Sequence, residues 1–317
     1  MKKLVDLLSR VQPNPDGVGI EIEVEGRGLP RPKASPYWSV HDDGSLRGGI
    51  EYVTEGPLPV GEIKTKALNS LYTAMKSKGT INENQDRCGI HVHVGVQNLT
   101  VEQIYVAICV SLLMDQVLLE FCGADRKNNL FCKPVRGTRS IITMLKNDYK
   151  RVAFFSTLSN DLLKYSSLNL ATLTRFGTLE YRGMRFLSEA SEVDEWSTEL
   201  YNMVHGSVNK WKDPKEFMDW YATHTKDELF NVLFSSSFIR KLKDSCPSWN
   251  KEINLNVKMC VDLAYGVKWN ADISKKKSKK PKVAPGGVNT DVAFANYVIG
   301  DGVPMTELRL ARGVFGR

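Results

Sequence analysis

Cysteine is scarce in this chain: six among 317 residues, at positions 88, 109, 122, 132, 246 and 260, with no CxxC pair. That spacing excludes a disulfide framework and a zinc ribbon, and predicts reduced, mostly buried thiols. Histidine is scarcer still, at five, and no HExxH is present, so a zinc-protease helix is absent. There is no GxxxxGK[ST], which rules out a P-loop NTPase. No GxGxxG follows a strand signal, which argues against a Rossmann site. No run reaches the roughly 18 uninterrupted apolar residues of a membrane helix. The most apolar stretch, Val101 to Phe121, is broken by Glu102, Ser111, Asp115, Gln116 and Glu120. The opening MKKLVDLLSRVQPNPDG has too short an apolar run for a signal peptide, with Asp6 inside it. The expected location is the cytoplasm, with no membrane contact.

What is present is the composition of a folded globular protein: 42% hydrophobic, 25% charged and 9% aromatic. The net charge of +7 is largely one segment, because Lys275 to Lys282 holds six lysines and the remainder carries +1. Flanked by polar residues and by Pro285-Gly286-Gly287, this segment reads first as a solvated linker. Its second reading is a non-specific contact with a polyanion such as nucleic acid.

The first third is rich in strand signals. Val18 to Glu25 alternates apolar and acidic residues, Gly49 to Thr54 is a second strand, and Cys88 to Val96 a third. Trp38 to Val40 predicts a short strand, and Asp43-Gly44-Ser45 a turn. A helix is expected through Ile63, Ala67, Leu71 and Met75, ending at Gly79. Another runs from about Thr100, capped by Thr100 and Gln103, to Cys122, and is apolar nearly all round. A fourth strand lies in GTLEYRGMRF, after an irregular or helical stretch. Helices follow: one with Val193, Trp196, Leu200, Met203 and Val204 on a face, starts at Asp213-Pro214 and at Thr225 with Glu228, and a last one through Ile253, Val257, Cys260 and Ala264. The expected class is α+β with an antiparallel sheet. Its sections are a catalytic sheet over 1–191 with a helical insertion at about 100–165, a helical part of the same domain over 192–268, and a lysine-rich flexible segment and tail over 269–317.

Strand alternation also sorts the polar residues. Glu21, Glu23 and Glu25 share one face of the first strand, His91 and His93 one face of the third, and Glu180 and Arg182 one face of the fourth; Glu51 opposes Ile50 and Tyr52. A strand face wetted by solvent mixes signs and hydroxyls, whereas this one is nearly all Glu and His and repels itself without a cation. Carboxylates with one or two imidazoles suit Mg²⁺ or Mn²⁺. Arg175, Arg182 and Arg185 supply the cationic donors that phosphate chemistry needs.

In order along the chain, GIEIE, HDDGSL with GGIEYVT, CGIHVHVG and KYSSLNLATLTRFGTLEYRGMR resemble the amidoligase family, over about Gly19 to Arg185. These are carboxylate-amine ligases with a glutamine-synthetase-like fold, related to glutamate–cysteine ligase. The resemblance implies an ATP-dependent ligase that forms an amide or isopeptide bond through an acyl-phosphate, with Mg²⁺ (or Mn²⁺) between the ATP phosphates and the sheet. It implies Glu21, Glu23, Glu51, His91 and Glu180 as metal ligands, and His93 near the metal, on cofactor or substrate. Arg182 becomes a phosphate clamp, Asn169 and Arg175 line the nucleotide or substrate pocket, and Asp43 and Ser45 form a substrate-side turn. Glu51, Arg175 and Arg182 are the residues it makes catalytic, while Glu25 has no assigned role. The implied substrates are a small carboxylate and an amine; the acceptors to consider are a peptide, a polyamine or a modified nucleobase, the last on the charge of the lysine segment alone. A metal-dependent hydrolase and a non-catalytic module contacting nucleic acid through the lysine segment are the alternatives.

Overall fold

The computed structural model describes residues 3–7, 14, 16–31, 35–82, 84–123, 126, 129, 132–137, 140–151 and 165–269. The alternating segments become strands. β1 (Val18–Arg27) buries Ile20, Ile22 and Val24 completely and leaves Glu21 and Glu23 half-buried. β2 (Trp38–Asp42), β3 (Gly49–Thr54), β4 (Thr80–Ile81), β5 (Gly89–Gly95), β6 (Leu168–Asn169) and β7 (Thr178–Arg185) complete one sheet. Its order is β2-β3-β1-β5-β7-β6, with every neighbouring pair antiparallel, and β4 pairs the end of β1 at Gly26 and Arg27. This is the α+β antiparallel class that the segregated pattern predicts.

The helices are α1 (Glu62–Lys78), α2 (Val101–Cys122), α3 (Ser140–Arg151), α4 (Thr172–Arg175), α5 (Ala190–Lys210), α6 (Pro214–Tyr221), α7 (Lys226–Leu233), α8 (Ser236–Ser245) and α9 (Trp249–Tyr265). α2 begins in the expected capping box: the Thr100 hydroxyl accepts from the Gln103 amide at 3.3 Å, and the Gln103 side chain accepts from the Thr100 amide at 2.9 Å. Among the described residues α2 is the one helix long and apolar enough to cross a membrane, but it is buried within the fold. It touches β7 on one side and α5, α6, α8 and α9 on others, so its apolar circumference is the centre of the core. Tyr181 of β7 ties sheet to helix, its hydroxyl 2.6 Å from that of Ser111 on α2.

Lys64 shows how α1 is fixed to α5. Its ammonium is fully buried yet satisfied, donating to the Asp194 carbonyl at 2.6 Å and to the hydroxyls of Ser197 and Thr198 at 2.7 Å each. The Asp194 carboxylate lies 3.1 Å away and supplies the counter-charge.

Four elements go beyond the sequence reading: β4, β6, α8 and the single-turn α4. β4 and β6 are two residues long, too short for alternation to register. α8 starts in a serine run; the Ser235 hydroxyl accepts from the Phe238 amide at 3.3 Å and caps it. The lysine segment 275–282, and everything from 270 onward, lies outside the described residues, as does 152–164 of the expected helical insertion.

Candidate metal centre

Strand register converts separate motifs into one surface. Glu51 of β3 lies opposite Glu23 of β1, and Glu21 of β1 opposite His91 of β5. His93 of β5 lies opposite Glu180 of β7, which in turn lies opposite Asn169 of β6. Directly opposed residues share a face, so Glu21, Glu23, Glu51, His91, His93, Glu180 and Asn169 gather on the side of the sheet away from Ile20, Ile22, Val92 and Tyr181.

Glu21 is the hub. One oxygen lies 2.9 Å from His91 Nδ1 and the other 3.1 Å from His93 Nε2. Glu180 Oε1 stands 3.9 Å from each imidazole and accepts from Arg182 Nη1, while its Oε2 accepts from the Asn169 amide at 2.6 Å. His93 Nδ1 is held 3.1 Å from the Thr178 hydroxyl. The Gly89 amide donates to Glu23 Oε2 at 2.8 Å. Glu23, His93 and Glu180 therefore each have a partner outside the ligand set that fixes orientation.

Charge on this face is strongly coupled. Burial pushes the Glu51 carboxyl up to about 7, and the nearby carboxylates of Glu21, Glu23 and Asp43 push the same way. Burial likewise raises Glu23. Burial would raise Glu21 too, but the hydrogen bonds to His91 and His93 outweigh it and hold its carboxyl well below the usual range. For Glu180 burial is again opposed, by His93 and then Arg182, and its carboxyl is lowered. His93 is raised: burial disfavours its charge, but Glu180 and Glu21 favour it more.

Three overlapping groups have ligand atoms within 4.8 Å of one another: Glu21, Glu51 and His91; Glu21, His93 and Glu180; Glu23, Asp43 and Glu51. Glu21 and Glu51 each belong to two groups. Oxygen-rich sets with at most one imidazole fit a hard divalent cation better than zinc. The Glu51 carboxyl, raised first by burial and then by the carboxylates of Glu21, Glu23 and Asp43, is a position whose charge such a cation would stabilise. The residues therefore suit Mg²⁺ or Mn²⁺.

All five residues expected as metal ligands fall in these groups, and His93 and Asp43 join them. Asn169 is buried and orients Glu180. Asp43 sits in a tight turn, its Oδ1 accepting from the Ser45 amide at 2.7 Å; the Ser45 side chain is exposed and belongs to none of the groups. Arg175 is exposed too, its guanidinium 4.8 Å from the centre of the Phe176 ring, which meets the His93 ring edge-on at 6.0 Å. Glu25 is turned to another use. It is 1% exposed and accepts from the Arg47 amide at 2.7 Å and from the Arg47 guanidinium at 3.3 Å. Arg47 also pairs with Asp86, so Glu25 anchors the turn that carries Asp43. Thr178 and Arg126 were not singled out by sequence. Thr178 shares the alternation of Glu180 and could have been found by it; Arg126 lies in an irregular stretch with no period to mark it.

A proton and a divalent cation compete for these groups. Below about pH 7 Glu51 is held neutral, and His93 keeps its proton to higher pH than an ordinary histidine. Mn²⁺ titrated at pH 6.5 is expected to release protons and to bind more weakly than at pH 8. Calorimetry in two buffers of different ionisation enthalpy measures the release; equal heats in both would refute it.

A family model described as "putative amidoligase enzyme" matches residues 38–200. The match takes in Asp43, Glu51, both histidines, Asn169, Glu180 and Arg182, while Glu21 and Glu23 precede it and join the site through the pairing of β1. No curated protein matches the chain. With just over half its length matched, and with carboxylates and imidazoles grouped for metal on one face of its sheet, the chain belongs to the amidoligase family.

Proposed function

We propose that this protein is an ATP-dependent carboxylate-amine ligase that activates its acid as an acyl-phosphate. The observation that carries the reading is the adjacency of the three ligand groups to a buried guanidinium. Arg182 donates Nη1 to Glu180, and its Nε is buried and bonded to nothing among the described residues. A buried donor left over costs about 1–3 kcal/mol, and anionic oxygens beside the metal face are the natural acceptors. Sheet and helices are on this reading the counterpart of a glutamine-synthetase-like fold.

Each group then has a chemical task. Bound Mg²⁺ or Mn²⁺ would neutralise phosphate charge and polarise the phosphoryl group being transferred. Glu21 and Glu51, each shared by two of the groups, would hold metal together with Glu23, His91, His93 and Glu180. Asn169 and Thr178 keep Glu180 and His93 in fixed orientations. Arg182 gathers the oxygens of the transferring group with a planar fork. Phe176, 43% exposed and flanked by the Arg175 guanidinium, offers an aromatic surface beside His93 on which a nucleobase can lie. Asp43 and Ser45 lie on the turn where the acid or the amine would enter.

The reading is tested by ADP release from ATP and Mg²⁺, screened over amino acids as the acid, with and without an amine. ADP formation that depends on both acid and amine supports it. ADP formation indifferent to the amine, or metal-dependent hydrolysis of an amide without ATP, overturns it.

A further inference from the structure

β5 and β7 fall out of step at one place. The register passes from Ile90 opposite Met184 to Val92 opposite Tyr181, so Arg182 and Gly183 together face the single residue His91. A bulge of this kind takes backbone groups out of the ladder and re-aims a side chain. The re-aimed side chain here is Arg182, whose guanidinium meets Glu180. Gly183 permits the bulge to lie against α2: a Cβ there would stand 3.1 Å from Leu119 and 3.2 Å from Cys122 Sγ.

Carbonyls displaced from a ladder in the interior need another donor. Arg126 provides it, although it lies beyond the end of α2 and is only 4% exposed. Its Nε donates to the Gly183 carbonyl at 2.9 Å, and its Nη2 to the Arg182 carbonyl at 3.4 Å. Gly89 makes room for it. A Cβ at 89 would lie 3.1 Å from Arg126 Nη2 and 3.3 Å from Glu23 Oε2, so one bare strand position admits both the guanidinium and a metal-site carboxylate. The Arg182 amide is meanwhile tied to the Ser167 carbonyl at 2.8 Å, and the Ser167 hydroxyl donates to buried Asp115 at 2.5 Å. The bulge is thus held at its amide and at both its carbonyls.

We propose that Arg126 is a positioning residue: by clamping the Arg182–Gly183 bulge it sets the direction in which the Arg182 guanidinium enters the metal face. Its catalytic consequence rests on the ligase reading above; its structural consequence does not. A lysine at 126 keeps the charge but loses the two-pronged geometry.

The test uses full-length protein labelled with ¹⁵N-arginine, as wild type, Arg126→Lys, Arg182→Lys and the double variant. The Arg182 Nε–H signal is identified by its loss in Arg182→Lys. It is expected to shift or broaden in Arg126→Lys while the melting temperature changes by no more than a few degrees; an unmoved signal overturns the proposal. Hydroxamate formation from the acid, ATP and hydroxylamine is expected to fall 10- to 100-fold in kcat in Arg126→Lys, with KM for the acid little changed, and to fall no further when Arg126→Lys is added to Arg182→Lys. A fully additive loss would make Arg126 a separate contributor and overturn the proposal. Should wild type form no hydroxamate, the ligase reading fails and the Nε–H signal alone decides the role of Arg126.

Discussion

Glu180→Gln is expected to lower kcat by at least about a thousandfold, near 4 kcal/mol of transition-state stabilisation, while the protein stays folded. Glu180 is 3% exposed and its two oxygens serve different masters: one accepts from Arg182 and lies between the two imidazoles, the other accepts from Asn169. Glutamine preserves the volume but carries no charge, and its amide nitrogen meets donors where the carboxylate met them with oxygen. The group of Glu21, His93 and Glu180 loses an anion, and Arg182 loses the partner that holds its Nη1. The core is on the other face of the sheet, where Tyr181 and Leu179 remain buried against the helices, so circular dichroism and a cooperative melt should be retained. Mn²⁺ affinity measured on the same preparations is expected to fall with the rate. Activity within threefold of wild type, in protein shown to be folded, would remove Glu180 from the metal set.

Much of this site could be read before any coordinates, because its residues obey the simplest periodicity in proteins. A strand that places Ile20, Ile22 and Val24 in the core must place Glu21 and Glu23 on the other side, and the same holds for His91 and His93. Pairing is the part that sequence does not carry. Nothing local says that β1 lies between β3 and β5, yet that order puts Glu51 opposite Glu23 and His91 opposite Glu21. Glu25 marks the limit of alternation: its backbone follows the pattern, but it stands at the end of β1, where the turn bearing Arg47 folds back over it and turns a surface position into a buried anchor. Arg126 lies still further from reach, since its partners are two main-chain carbonyls that only a register shift makes available. Residues positioned by strand period were legible, and Asp43 on its turn was reached through the family resemblance; residues positioned by a bulge or a long-range backbone contact were not.

Arg182→Lys is expected to reduce the hydroxamate trapped from ATP, Mg²⁺, the acid and hydroxylamine by about a hundredfold or more, the scale on which a single preorganised donor acts in a transition state. The geometry argues for an active part over a passive ion pair. An exposed Glu–Arg pair on a strand is worth about 1 kcal/mol or less and needs only one face of the guanidinium. Arg182 is instead largely buried, paired through Nη1 alone, with Nε facing no acceptor among the described residues. Burial works against its charge, and the neighbouring carboxylates of Glu180, Glu21 and Glu23 hold it protonated nonetheless. On the ligase reading, a guanidinium kept charged and incompletely satisfied beside carboxylates grouped for metal would receive phosphoryl oxygens in two places at once. Lysine retains the charge and the pairing with Glu180 but offers no second fixed donor. The loss should therefore appear in kcat, with Mn²⁺ affinity close to wild type. Production of AMP and pyrophosphate in place of ADP by wild type, with hydroxamate still formed because an acyl-adenylate also reacts with hydroxylamine, would mean that the acid is activated by adenylation, and that Arg182 serves the sheet and not the transferred phosphoryl group.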